Sequence, residues 1–228
     1  MATATVFGAS GLTGSALTEL LLSNTAFTSV KVVVRKPLNV HHEKLQQVVI
    51  DFSQLHDYPD LFSSDHIFCC LGTTMEKEKG NKETYKKVDK EYPVQIARHS
   101  AMHNCKSLHI MSSMGANPNS TIFYSKLKGE MQEEVIAEWK GKVSHSTLCI
   151  YQPGLLEGER KEKRFGEGFG KIIMRIFNPI LIGGLRKYKS IHASDVALVM
   201  MHNALHLKYG LHIIKNDVLL QSAKEIKS

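Results

Sequence analysis

No apolar run in this 228-residue chain reaches the ~20 residues that a membrane-spanning helix requires. Its longest greasy stretch, Ile172–Ile182, is interrupted by Arg175, Asn178 and Pro179. Met1–Phe7 lacks a basic lead and runs straight into a glycine turn, so no secretory signal is expected there. Cysteine is scarce: Cys69, Cys70, Cys105 and Cys149 sit in apolar stretches without metal-ligand spacing. They are expected to be reduced core residues of a cytoplasmic protein, with no metal site. No internal repeat, low-complexity tract or Ser/Gly-rich linker interrupts the chain. One domain over residues 1–228 is therefore expected, with a small substrate or lid portion around 152–192. Acid is in deficit, 22 Asp and Glu against 29 Lys and Arg, for a net charge of +7. No nucleic-acid-binding motif accompanies the excess, so it bears on encounter with anions rather than on nucleic acid. A hydrophobic share of 43% with 22% charged residues excludes a disordered or collagen-like chain.

What is present is an alternation of short β-branched runs with longer helical patterns, the mark of βαβ units around a parallel sheet. Strands are expected at Thr3–Phe7, Val30–Val34, Val48–Ile50, Ile67–Leu71, Leu108–Met111, Leu148–Tyr151 and Leu211–Ile214. Helical spacing carries Leu12, Leu17, Leu20 and Leu21, then Asn81–Met102, which Pro93 should kink or divide. Leu127, Met131, Val135 and Trp139 share one face of a helix over Tyr124–Trp139, and Ser194–Leu207 reads as a late helix. The fold class is α/β: a Rossmann-like, doubly wound parallel sheet with helices on both faces.

Gly8-Ala9-Ser10-Gly11-Leu12-Thr13-Gly14 lies between the first strand and the first helix. In that context Gly8 permits the tight turn, Gly11 lets backbone approach a pyrophosphate, and Gly14 lets helix pack close on strand. The helix N-terminus then offers free N–H groups to phosphate. After the second strand the chain reads Val34-Arg35-Lys36, with no acid to hold a ribose 2′-hydroxyl. Two cations suit a 2′-phosphate, which favours NADP(H) over NAD(H). Asp51, after the third strand, is placed to accept from the adenine amino group. Leu71-Gly72-Thr73, after the fourth, is placed to line the cofactor with backbone.

Tyr124 and Lys128 stand four residues apart at a helix start and so face the same way. A free phenol titrates near pH 10, and a neighbouring ammonium favours its ionised form. Lys128 can bind the nicotinamide ribose as well. Ser113 or Ser112, closing the preceding strand, could hold a substrate oxygen.

Together these residues resemble an atypical short-chain dehydrogenase/reductase, specifically the Tat-interactive oxidoreductase proteins and their bacterial relatives. The matching segments are Gly8–Gly14, Phe68–Thr74, Val88-Asp89, Ser112-Ser113-x-Gly115-Ala116, Tyr124-x-x-x-Lys128-Gly129-Glu130 and Pro153-Gly154. They run in order from Thr5 to about Glu167. The resemblance implies the short-chain dehydrogenase fold and NADPH. It also implies cofactor contacts at Ser10, Gly11, Leu12, Thr13, Arg35, Lys36, Leu71, Gly72, Leu156 and Arg164, and Tyr124 as proton donor beside Lys128. Gln152 departs from the arginine that the family usually carries before Pro-Gly, which puts a substrate-anion role there in doubt. The animal members' N-terminal extension is not seen in this chain, so their protein-partner roles are not carried over.

The expected function is hydride transfer between NADP(H) and a small carbonyl or alcohol. A non-catalytic NADPH sensor and a nucleotide-sugar epimerase are the alternatives. The basic run Arg160–Arg164 is read as solvated except for Arg164. Ile172–Ile182 is read as a lid, a dimer contact or ordinary core, and His192 as lying outside the pocket. A small-molecule substrate and a possible homo-oligomer are the expected partners; neither nucleic acid nor membrane is expected.

Overall fold

The computed structural model describes residues 1–73, 80–142, 144–158 and 189–228. The seven expected strands form one sheet: β1 (Ala2–Phe7), β2 (Phe27–Val34), β3 (Leu45–Val49), β4 (His66–Cys69), β5 (Ser107–Met111), β6 (Thr147–Gln152) and, after two short strands, β9 (Gly210–Lys215). Their order is β3-β2-β1-β4-β5-β6-β9, and every neighbouring pair is parallel. Helices α1 (Leu12–Ser23) and α5 (Ala193–His206) cover one face, around Leu17, Leu21, Val32, Phe68 and Val199. Helices α3 (Tyr92–Met102) and α4 (Phe123–Trp139) cover the other, around Phe7, Ile67, Ile96, Met131 and Trp139. Burial on both faces explains why the central strands read as continuous apolar runs rather than alternating ones.

The helix expected over Asn81–Met102 is divided, but not at Pro93. A short α2 (Lys82–Lys86) passes into a π turn over Lys87–Glu91, and α3 restarts at Tyr92 with Pro93 in its first turn. Pro93 has no N–H to give the preceding turn, and the π turn lies immediately before it. The pair β7 (Leu156–Glu157) and β8 (Ile191–His192) and the closing helix α6 (Asn216–Lys227) were not expected. Asp195 sits in the first turn of α5, as read from the sequence, and is also paired with Lys227 of α6. Most of the expected lid portion, including Ile172–Ile182, lies outside the described residues.

A polar relay crosses the core beneath α5. His66 Nδ1 meets Ser107 Oγ at 2.7 Å, Ser107 Oγ meets His109 Nε2 at 2.8 Å, and His109 Nδ1 meets the Tyr151 hydroxyl at 2.9 Å. Asn203 Nδ2 donates to that hydroxyl. Burial pushes His66 down to about 4, and burial with His66 and His212 nearby holds His109 well below the ordinary histidine value. Both rings are thus neutral in the folded chain, whereas unfolded histidine takes its proton near pH 6.5. The contribution of these neutral rings to stability should be complete above that pH and fall as the pH drops from 6.5 toward 4, where His66 takes its proton in the folded chain. Urea unfolding across that range checks this; a midpoint unchanged from pH 7 to 4 would overturn it.

Candidate active site

The strand order reverses between β1 and β4, and a crevice at the carboxyl ends of those strands is where open α/β sheets bind ligands. The glycine turn fills the β1 side. Gly8 has φ +85°, and a Cβ there would lie 2.7 Å from the Cys70 carbonyl carbon and oxygen. A Cβ on Gly14 would lie 2.1 Å from the Gly8 carbonyl oxygen, so α1 is seated directly on the turn. Ser10 and Gly11 are exposed, Leu12 is half-buried and Thr13 is buried. This cradle fits a pyrophosphate: backbone is open at the start of a twelve-residue helix whose first turn holds no acid.

On one side of the turn, Arg35 and Lys36 are exposed just past β2. Asp51 is exposed just past β3, where its carboxylate accepts from the Ser53 amide at 2.9 Å; that bond holds its pKa below the usual carboxylate value. Arg35 and Asp51 both act electrostatically on Tyr92, which brings the two strand ends to one place. Leu156 of β7 packs against the α1 side of the core, and a Cβ on Gly158 would lie 3.2 Å from the Leu12 side chain. Arg164 and Thr74 lie outside the described residues.

On the other side stands the Tyr124 helix. Tyr124 is the second residue of α4 and is 39% exposed, so its phenol faces the solvent side of that helix end. One turn on, Lys128 is buried, with its Nζ 2.8 Å from Asp89 Oδ1; the two side chains are 3% and 2% exposed. Burial works against the ammonium, but the Asp89 carboxylate and then the Tyr124 phenol hold its pKa above the ordinary lysine value. Asp89 Oδ2 also accepts from the Thr73 amide at 2.9 Å, which ties the loop after β4 to the same carboxylate. Tyr85 packs edge-on to Tyr124, ring centroids 6.3 Å apart.

The two serines at the end of β5 differ. Ser112 Oγ is buried and accepts from Gln132, whose own carbonyl oxygen accepts from Gln152 Nε2 at 3.0 Å. Ser113 Oγ is buried with no hydrogen-bond partner among the described residues. A buried hydroxyl left without a partner carries a desolvation cost that a bound oxygen would offset. Gln152 therefore has a built environment of its own in place of the family's arginine.

Residues 8–165 match the NAD(P)H-binding family. The chain belongs to that family. Among curated members, HTATIP2 of Rattus norvegicus is 28% identical over 225 residues, covering 96% of this chain and 88% of the rat protein. FMP52 of Kluyveromyces lactis is 30% identical, covering 97% of this chain and 99% of the yeast protein. These matches bear out the resemblance read from the motifs. Among solved structures, MoeE5 in complex with UDP-glucuronic acid and NAD superposes with a TM-score of 0.72 at 15% identity, over 98% of this chain and 82% of that one. A short chain dehydrogenase family protein from Francisella tularensis gives 0.64 at 18% identity, over 97% and 100%. At such identities the likeness establishes the Rossmann-like fold.

The relatives correct one expectation. FMP52 of Kluyveromyces lactis and of Candida albicans is named mitochondrial, which points to the mitochondrion rather than the cytoplasm. Composition and the lack of an apolar span could not have placed the chain, because address signals are read by receptors and not by the fold. Among the described residues no helix is long and apolar enough to cross a membrane.

Sequence reading of this NAD(P)H-binding chain did not assign three residues of the site: Asp89, Gln132 and Tyr85. Asp89 was visible only as part of the Val88-Asp89 match, since a lone acid in a polar helix carries no pattern of its own. His192, read as outside the pocket, is exposed with its ring 3.5 Å from Glu157.

Proposed function

We propose that the chain is an NADP(H)-dependent oxidoreductase acting on a small, neutral or weakly polar carbonyl or alcohol. The observation that carries this reading is the half-exposed Tyr124 phenol one helical turn from the buried Lys128 ammonium, with the Ser113 hydroxyl, unpartnered among the described residues, just past β5. A bound nicotinamide would take or supply hydride at its C4 carbon. Tyr124 exchanges the proton with the substrate oxygen, Ser113 orients that oxygen, and Lys128 bears on the phenol and the ribose hydroxyls. The cradle of Ser10, Gly11, Leu12 and Thr13 holds the pyrophosphate. Arg35 and Lys36 hold the 2′-phosphate, Asp51 the adenine amino group, and Leu71, Gly72 and Thr73 the cofactor's flank. The neutral Gln152 and the exposed apolar side chains of Met114, Phe123 and Leu155 favour a substrate without strong negative charge.

Replacing Arg35 and Lys36 together with alanine is expected to weaken NADPH binding by roughly 1–3 kcal/mol and leave NADH binding nearly unchanged, as for loss of charge-assisted bonds. Calorimetry with both cofactors checks this, and equal affinity of the parent chain for the two would refute the NADP(H) assignment. Screening of carbonyl substrates at the NADPH absorbance tests turnover. Tight NADPH binding with no substrate consumed would favour a sensor instead.

A further inference from the structure

Asp89 occupies an unusual position. It sits at the centre of the π turn Lys87–Glu91, where the helix widens, and its carboxylate is driven inward beneath the loop that follows β4. A Cβ on Gly72 would stand 3.8 Å from Asp89 Oδ1, so carboxylate and loop are in direct contact. π turns inside helices cost regular hydrogen bonding and are found most often where a side chain must be re-aimed for function. The two carboxylate oxygens have different partners: Oδ1 takes the Lys128 ammonium and Oδ2 the Thr73 amide.

We propose that Asp89 is a positioning residue that keeps Lys128 charged inside the protein and fixes it to the Leu71–Thr73 loop, so that lysine and loop form one unit at the nicotinamide end. The link to the nicotinamide rests on the cofactor reading above; the link between Asp89 and Lys128 does not. A buried ammonium without a counter-charge gives up its proton near or below neutrality. The other groups that face Lys128 cannot replace Asp89. Cys69 of β4 is buried, and burial pushes its thiol up to about 12, so it is neutral. Tyr124, on the same helix, and Tyr85, which faces Asp89, are phenols. Asparagine at position 89 could still accept from the Thr73 amide through its carbonyl oxygen, but it brings no charge. Asp89→Asn thus separates the electrostatic role from the structural one.

The test is a pair of titrations on the full chain. The Lys128 Cε carbon resonance, followed by NMR without cofactor, should titrate at distinctly lower pH in Asp89→Asn than in the parent, where the carboxylate holds the ammonium above the ordinary lysine value. NADPH affinity by calorimetry should be about tenfold weaker in the variant than in the parent at pH values above the variant's Lys128 titration, and approach the parent's below it. Identical Lys128 titrations in the two proteins would overturn the proposal. A shifted titration in chains that bind no NADPH would leave Asp89's hold on Lys128 standing and bring down the cofactor reading. If Asp89→Asn does not fold, Lys128→Met reads the same contact from its other end. Asp89 then loses its cation, and the Thr73 amide resonance, which reports on the same carboxylate, should shift from its position in the parent. A Thr73 amide resonance unmoved by the substitution would also overturn the proposal.

Discussion

Tyr124→Phe is expected to lower turnover by roughly 10²–10⁴-fold and leave NADPH affinity within about twofold, the share usually supplied by a positioned proton donor. The phenol is available for that role because it opens to solvent at the second position of α4, while the four-residue spacing puts Lys128 directly beneath it. Phenylalanine keeps the ring and its edge-on packing on Tyr85, so the fold around it is undisturbed. Single-turnover kinetics with a carbonyl found by screening, alongside calorimetry, separates chemistry from binding. A variant with the parent's rate would remove Tyr124 from the chemistry.

Lys128→Met should unfold at much lower urea concentration than the parent, with a loss of about 3–5 kcal/mol, the usual cost of breaking a buried ion pair on one side only. The cost arises on Asp89, which stays in the interior without its cation, 2% exposed and still holding the Thr73 amide. Adding Asp89→Asn to Lys128→Met should recover most of the loss, because the buried charge is then gone and the Thr73 acceptor can remain. Equilibrium unfolding of the parent, both single variants and the double variant forms a complete cycle. Stability of Lys128→Met equal to that of the parent would show that the pair is not shielded from water as its burial indicates.

The strands and the glycine turn were legible in the chain because their signals are local. A run such as Ile67–Leu71 is apolar throughout only if both faces are covered, and Gly8 and Gly14 carry side-chain exclusion written as residue type. Boundaries were less legible: β2 begins at Phe27 rather than Val30, and β3 ends at Val49 rather than Ile50. Edge positions pair on one side only, so their composition is less constrained. The closing helix α6 was not read, although Leu219, Leu220, Ala223 and Ile226 recur along it at helical spacing and pack on the core.

The sequence by itself determined the sheet and its parallel sense, the phosphate cradle with its neighbouring cations, and the Tyr124–Lys128 spacing. All of these depend on residues a few positions apart or on the periodicity of a single element. Only the tertiary structure decided what surrounds them. It joined Asp89 to Lys128 and to Thr73, occupied Ser112 with Gln132 and left Ser113 without a partner among the described residues. It joined Gln152 to Gln132 by a hydrogen bond, and it threaded His66, Ser107, His109 and Tyr151 into one relay. Each such contact joins separate elements of the chain or reflects how they pack together. Removing two polar groups from water costs free energy that only their bond to each other offsets, and a linear pattern of residue types carries no record of which groups will be buried side by side.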